Sequence, residues 1–381
     1  MMTIVTLSVP AAAQNAAPSA GTAERGIVVT GIPLETTRAR LAACLARGCP
    51  PKEDIDATLA LVENAFVAGE YKMARTALLE SIRRNRQHAK DLPVDVSDLL
   101  RASGRVAAHL GEKTSYLAAT RDAASILKDN LPENDPRILD ARIEVGDSRA
   151  RVDDIGMAVE IYRDVAKQAR KRDLPVTEGY ARLRVAGLYA AMASQNTAYR
   201  PLAEQELQDL IEDRDPRLSR FVMAARVLQA RMAVKRGNMT AVDELIANAK
   251  LSGGKTPLLL YAPVIEVDTH ARLARGNMNR VQMADVDDQW IDVGFWISAD
   301  GKVSDVDILR QSQSVSGSWP KLVTNSIAGR KYSAFSPMSG QTGMQRVERY
   351  TMTAFWTTGG TSTHLRTRDP APRLEMLDLT R

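Results

Sequence analysis

One pattern constrains this chain more than any other: from Pro51 to Gly253, Ala and Leu recur at three- and four-residue spacing with polar residues between, and strand signals are nearly absent. Within it, a small alanine follows a turn at Ala74, Ala119, Ala158, Ala203 and Ala241, at intervals of 45, 39, 45 and 38 residues. A unit that repeats at such a period cannot bury its apolar face alone and must stack on its neighbours. The spacing predicts about five helix pairs. The first starts at Pro51-Lys52-Glu53-Asp54, with a proline and acids where a helix start favours them. It runs on through Leu59, Val62 and Phe66.

Ala65-Phe66-Val67-Ala68-Gly69-Glu70-Tyr71-Lys72-Met73-Ala74, followed by Leu78 and Ile82, resembles a tetratricopeptide repeat: a helix, a glycine turn, then a helix with alanine at the close crossing. The period exceeds the usual unit of about 34 residues, so a generic α-solenoid or an irregular helical bundle stays open beside it. Such arrays commonly hold a peptide or protein partner on a curved surface, and they also serve as spacers.

After Leu251-Ser252-Gly253-Gly254-Lys255-Thr256-Pro257 the pattern turns β-rich. Gly254-Lys255-Thr256 lacks the earlier glycine and the leading strand of a phosphate-binding loop, and reads as an inter-domain turn. Leu258 to Val267 reads as an extended edge strand interrupted by Pro263. Ile291, Val293, Phe295 and Ile297 alternate with Asp292, Gly294, Trp296 and Ser298, the period of a half-buried strand. Asp300-Gly301 turns the chain, and Val306 and Ile308 continue on the returning strand. Ser318-Trp319-Pro320 opens a helix whose Trp319, Leu322, Val323 and Ile327 share a face, ending near Gly329. Arg330 to Phe335 and a glycine-rich loop lead to a long strand from Arg346 to Trp356.

Strand, strand, helix, strand in this order, with Ser298-Ala299-Asp300-Gly301-Lys302-Val303 at the hairpin, resembles the TonB C-terminal domain over roughly residues 288–357. The resemblance implies a protein-binding sheet whose last strand accepts an extended segment from an outer-membrane receptor. Physically this is strand addition, in which main-chain hydrogen bonds supply affinity and alternate side chains supply register. The matching partner-binding positions are Arg346, Val347, Glu348, Arg349, Tyr350, Thr351, Met352 and Thr353, provided that edge is free; Arg373 to Leu377 reads as a further strand able to cover it. The membrane anchor and proline-rich spacer of that family have no counterpart among these residues, and the 17 prolines are dispersed.

The fold class expected is α+β: an α-solenoid of tetratricopeptide-like pairs over 36–253, a connection over 254–287, and a small antiparallel sheet with one helix over 288–381. Residues 1–17 read as a signal peptide, apolar and then small, although no Lys or Arg precedes the apolar stretch, and 18–35 as a flexible leader. Gly26-Ile27-Val28-Val29-Thr30-Gly31 resembles a stretch near the mature start of TonB-dependent receptors; it is a candidate internal ligand for the sheet, against a simple leader or docking strand. No window is long and apolar enough for a stable membrane span.

Cys44 and Cys49, with Gly48 able to fold the chain back between them, can form a disulfide in an oxidising periplasm, the alternative being two free thiols. The pair is too small a ligand set for a metal, and the four histidines are scattered, so no metal or cofactor is expected. A net charge of +5 is spread among interleaved acids, and neither Arg83-Arg84-Asn85-Arg86 nor Arg170-Lys171-Arg172 carries the aromatics that stack bases, which argues against nucleic acid. Gly146-Asp147-Ser148 and Ser314 to Ser318 lack the elbow and the histidine of a hydrolase, and Asp153-Asp154 and Asp287-Asp288 read as solvated turn acids. The expected function is therefore a non-enzymatic periplasmic adaptor that captures an extended segment of an envelope protein or peptide, such as a TonB-dependent outer-membrane receptor. Its alternative is a component or modulator of TonB-dependent transport.

Overall fold

The computed structural model describes residues 33–236, 238, 240–249, 255–265, 286, 288–337, 341–358, 366–368 and 372–380. The signal-peptide reading and the Gly26 to Gly31 segment lie outside the described residues. Residues 33–381 form one unit.

A first helix, α1 (Leu34–Ala46), is followed by five pairs: α2 (Pro51–Ala68) with α3 (Tyr71–Asn85), α4 (Pro93–His109) with α5 (Lys113–Asn130), α6 (Pro136–Arg151) with α7 (Ile155–Lys171), α8 (Pro175–Ala193) with α9 (Arg200–Ile211), and α10 (Ser219–Lys235) with α11 (Thr240–Ala249). Each of the five alanines singled out by their spacing stands near the start of the second helix of a pair, and Ala74, Ala158 and Ala203 are fully buried there. The first helix of four pairs begins on a proline, Pro51, Pro93, Pro136 and Pro175. At that position the ring's fixed φ suits the helix and its missing N–H costs nothing.

Adjacent pairs are also stitched by ion pairs that span one repeat: Lys52 to Asp95 and Arg163 to Glu206 at 43 residues, Arg217 to Asp173 at 44. Cys44 and Cys49 form a disulfide that ties the end of α1 to the start of α2. It closes where Gly48 adopts a left-handed φ of 64° and the Cys49 N–H returns to the Cys44 carbonyl.

The C-terminal region builds β1 (Leu259–Tyr261), β2 (Trp290–Ser298), β3 (Val303–Gln311), α12 (Trp319–Ala328), β4 (Lys331–Tyr332), β5 (Gly343–Thr353), β6 (Trp356–Thr358), β7 (Arg366–Arg368) and β8 (Arg373–Asp378). The main sheet is antiparallel in the order β3-β2-β5-β8, while β1 pairs with β4 and β6 with β7. The expected edge strand from Leu258 is shorter than its sequence suggests: hydrogen-bonded pairing covers Leu259 to Tyr261 and stops before Pro263.

On one face of this sheet, Ile291, Val293, Phe295, Ile297, Tyr350 and Met352 enclose a core with Trp319, Val323 and Ile327 of α12. The half-buried reading of β2 needs correction, because the opposite face is not solvated. It lies against the helix pairs, with Trp290 in the same core as Phe66 and Tyr71, and Asp292 and Arg349 fully buried.

Candidate functional site

The strand expected to receive a partner is engaged internally on every side. Its backbone pairs with β2 along one edge and, from Glu348 to Thr353, with β8 along the other. The condition attached to edge capture at Arg346 to Thr353 is thus not met in this fold: the Arg373 strand covers the edge.

The side chains are equally committed. Arg346 pairs with Asp378 at 2.8 Å, and the Val347 N–H donates to the Thr380 hydroxyl. Glu348 accepts from buried Arg330 at 2.9 Å and from the Tyr350 hydroxyl at 2.6 Å. Burial and the Glu348 carboxylate push the Tyr350 phenol above its ordinary pKa. Met352 fills the α12 core, and Thr353 is buried on the face toward the helices.

Arg349 explains how sheet and helices are joined. Its Nε and one amino group grip Asp292 at 2.6 and 2.9 Å, and its amino groups donate to the carbonyls of Phe66 and Val67 at 2.5 and 2.7 Å. Those carbonyls end α2, where the last turn lacks intrahelical donors and the dipole is negative, so a guanidinium is well placed there. Two further arginines repeat the arrangement. Arg368 donates to the Leu110 carbonyl after α4 at 3.0 Å, and Arg373 to the Arg151 carbonyl closing α6 at 2.6 Å. Each cap lies over an aromatic ring: Arg349 over Trp290 at 3.9 Å, Arg368 over Trp356 at 4.0 Å, Arg373 over Phe355 at 4.5 Å.

The turns beneath the first two caps require glycine. At Gly69, with φ 82°, a Cβ would stand 2.3 Å from the Trp290 indole; at Gly111, with φ 72°, it would stand 2.1 Å from the Ala354 carbonyl oxygen. Beside them Thr351 meets the Tyr71 hydroxyl at 3.0 Å and His109 Nδ1 at 3.1 Å. Burial, then the charges of Arg151 and Arg349, lowers the His109 pKa to about 3, so the imidazole is neutral.

A groove of about 890 Å³ opens along the repeats. The first helices of four consecutive pairs, α4, α6, α8 and α10, contribute to its wall, joined by β1 and β8. Around α4 and α6 the wall is charged, with Arg101, Arg105, Glu144, Asp147 and Arg151. Around α8, α10 and β1 it is mostly apolar, with Leu183, Leu188, Val227, Leu228, Leu258 and Leu259, interrupted by Arg184 and Arg231. The sequence reading singled out none of these residues as a site. The usable signal was the period: Arg101 and Glu144, which pair across the groove wall, stand 43 residues apart, one repeat.

No protein-family model matches this chain, and no curated protein matches it. Among solved structures, the chain is similar to BtubC (BKLC) from P. vanneervenii at 11% identity, covering 57% of this chain and 88% of that one, with a TM-score of 0.43. It is also similar to a kinesin light chain of nearly identical TPR-like repeats from Podosopora anserina at 16% identity, covering 52% of this chain and 93% of that one, with a TM-score of 0.39. A point variant of that kinesin light chain gives 15% identity, the same coverages and the same score. The five helix pairs stand on this chain's own geometry.

Proposed function

We propose that this chain is a non-enzymatic protein-binding scaffold of the cell envelope, whose helical repeats hold an extended segment of a partner protein in their groove. The observation that carries the reading is the groove wall, to which the first helix of each of four successive pairs contributes. A surface of that extent and regularity suits a chain segment lying across the repeats. The buried ionisable side chains support a structural use: Asp292 and Arg349 bind each other, Glu348 binds Arg330, and His109 sits among Phe66, Tyr71 and Thr351.

A periplasmic location is supported by the apolar start followed by small residues and by the Cys44–Cys49 disulfide, a bond that persists in oxidising compartments. A finer reading treats residues 288–357 as a TonB-like module and the chain as a component or modulator of TonB-dependent transport. It is supported by the order hairpin, α12, β5. In that reading β8 occupies the place of a receptor segment, and capture proceeds by exchange with it.

The test places a photo-crosslinking amino acid at Leu188 inside the groove or at Leu79, exposed on α3, in the cells that make the protein. A discrete protein adduct from Leu188 and none from Leu79, in the periplasmic fraction, is expected. Equal labelling from both positions, or none from Leu188, overturns the groove reading, and recovery of the chain in the cytoplasmic fraction overturns the location.

A further inference from the structure

The groove is not electrically neutral. Six arginines line it, Arg101, Arg105, Arg151, Arg184, Arg231 and Arg373, against two carboxylates, Glu144 and Asp147. Arg101 is matched with Glu144, and Arg184 with Asp147 at 2.9 Å. Arg151 and Arg373 share a single acid, buried Glu375, at 3.2 and 3.3 Å. Arg231 donates to the carbonyls of Leu259 and Leu260, which hold β1 in place without neutralising its charge. Arg105 is exposed on the wall and has no acidic partner among the described residues. Positive charge is therefore in excess among the described residues, and it extends through Arg184 and Arg231 into the mostly apolar end at α8, α10 and β1.

We propose that the groove's occupant is an acidic, extended segment of a partner protein, with carboxylates on the Arg101, Arg105 and Arg151 wall and an apolar stretch against Leu183, Leu188 and Leu228. This rests on the scaffold reading and adds the chemistry of the ligand. Guanidinium forks donate to carboxylates in bidentate fashion, and a partly enclosed wall strengthens such pairs over exposed ones. Tyr116, beneath Arg151 at 5.9 Å, and Tyr162, bonded to Asp147 at 2.6 Å, fix two of the side chains that line the path.

The experiment uses the full chain and three short fluorescein-labelled peptides of equal length, each with an apolar Leu-Val half and a second half of Glu, Gln or Lys. Fluorescence anisotropy is expected to show the Glu peptide binding about tenfold tighter than the Gln peptide, with the difference lost at high salt and the Lys peptide weakest. Arg105→Glu combined with Arg101→Gln is expected to abolish the preference, while Arg83→Glu, on α3 outside the groove, leaves it intact; circular dichroism checks that each variant is folded. Equal binding of the Glu and Gln peptides, both weakened by Leu188→Glu, overturns the acidic assignment and leaves the groove reading standing. Binding indifferent to every groove variant, or no binding by any peptide, overturns the proposal, and the Leu188 crosslink then decides the scaffold reading separately.

Discussion

Arg349 makes four hydrogen bonds to three acceptor residues, Asp292, Phe66 and Val67, while its guanidinium lies over Trp290. Replacing it by methionine leaves the Val67 carbonyl without its donor and the Phe66 carbonyl with the Gly69 N–H alone, and among the described residues only the half-exposed Arg310 stays beside the Asp292 carboxylate, at 2.6 Å. Arg349→Met is expected to cost about 3 kcal/mol in urea denaturation, and adding Asp292→Asn to recover part of it, because breaking a buried pair costs more than removing both charges. Gly69→Ala is expected to cost more than the roughly 1 kcal/mol of a strained backbone, since its methyl also meets the Trp290 indole. His109 gives a pH signature. The unfolded chain binds the proton near the ordinary 6.5 and the folded chain only near 3, so stability is complete above the first value, falls with pH through the window, and levels off below it. The titrating and charged neighbours are Tyr71, Arg151 and Arg349. Glu375, whose carboxyl burial raises, works in the opposite sense over its own window. Comparing urea midpoints at about pH 7 and about pH 5, His109→Phe is expected to lose less stability on acidification than the parent, by about 1 to 2 kcal/mol.

Secondary elements were largely legible because their signals are local. The alanines marked the second helix of each pair, Asp300-Gly301 marked the β2–β3 turn, and Trp319 with Val323 and Ile327 marked the buried side of α12. Packing between distant elements was not legible, since nothing local distinguishes Asp292 on a solvated face from Asp292 held 2.6 Å from Arg349, 57 residues later. The same holds for the arginines that cap α2, α4 and α6: the sequence places Arg349 on a partner-binding edge and Arg373 on a covering strand, and nothing local shows that either reaches a helix end. At this scale β8 makes the sharpest prediction. Deleting 372–380 is expected to expose the β5 edge from Glu348 to Thr353, to raise self-association in light scattering, and to allow a labelled Arg373–Asp378 peptide to bind the shortened chain but not the intact one. The disulfide closes a short loop worth about 2 kcal/mol, and its place at the α1–α2 junction confines its effect. Mild reduction is expected to speed hydrogen exchange across α1 while exchange in α4 to α8 stays unchanged.

Across 33–381, helices and sheet should unfold as one, and the chain carries its own reporters. All four tryptophans, at 290, 296, 319 and 356, lie in the C-terminal region, while far-UV circular dichroism is dominated by the repeats. Coincident tryptophan and dichroism transitions are expected for the parent, and separated ones for Arg349→Met; separated transitions in the parent would contradict the joint fold. Linear repeat arrays are elastic, because each unit touches only its neighbours and small rotations accumulate along the stack. Here the main sheet is fastened to the ends of α2 and α6, the β6-β7 pair to the end of α4, and β1 by Arg231 to α10. That is a spring with a brace bolted across its coils. Such a brace opposes widening and twisting, so under the proposed scaffold role the spacing between binding positions would be set before any partner arrives, and a partner whose contacts fall at a different pitch would meet a ruler rather than a hand.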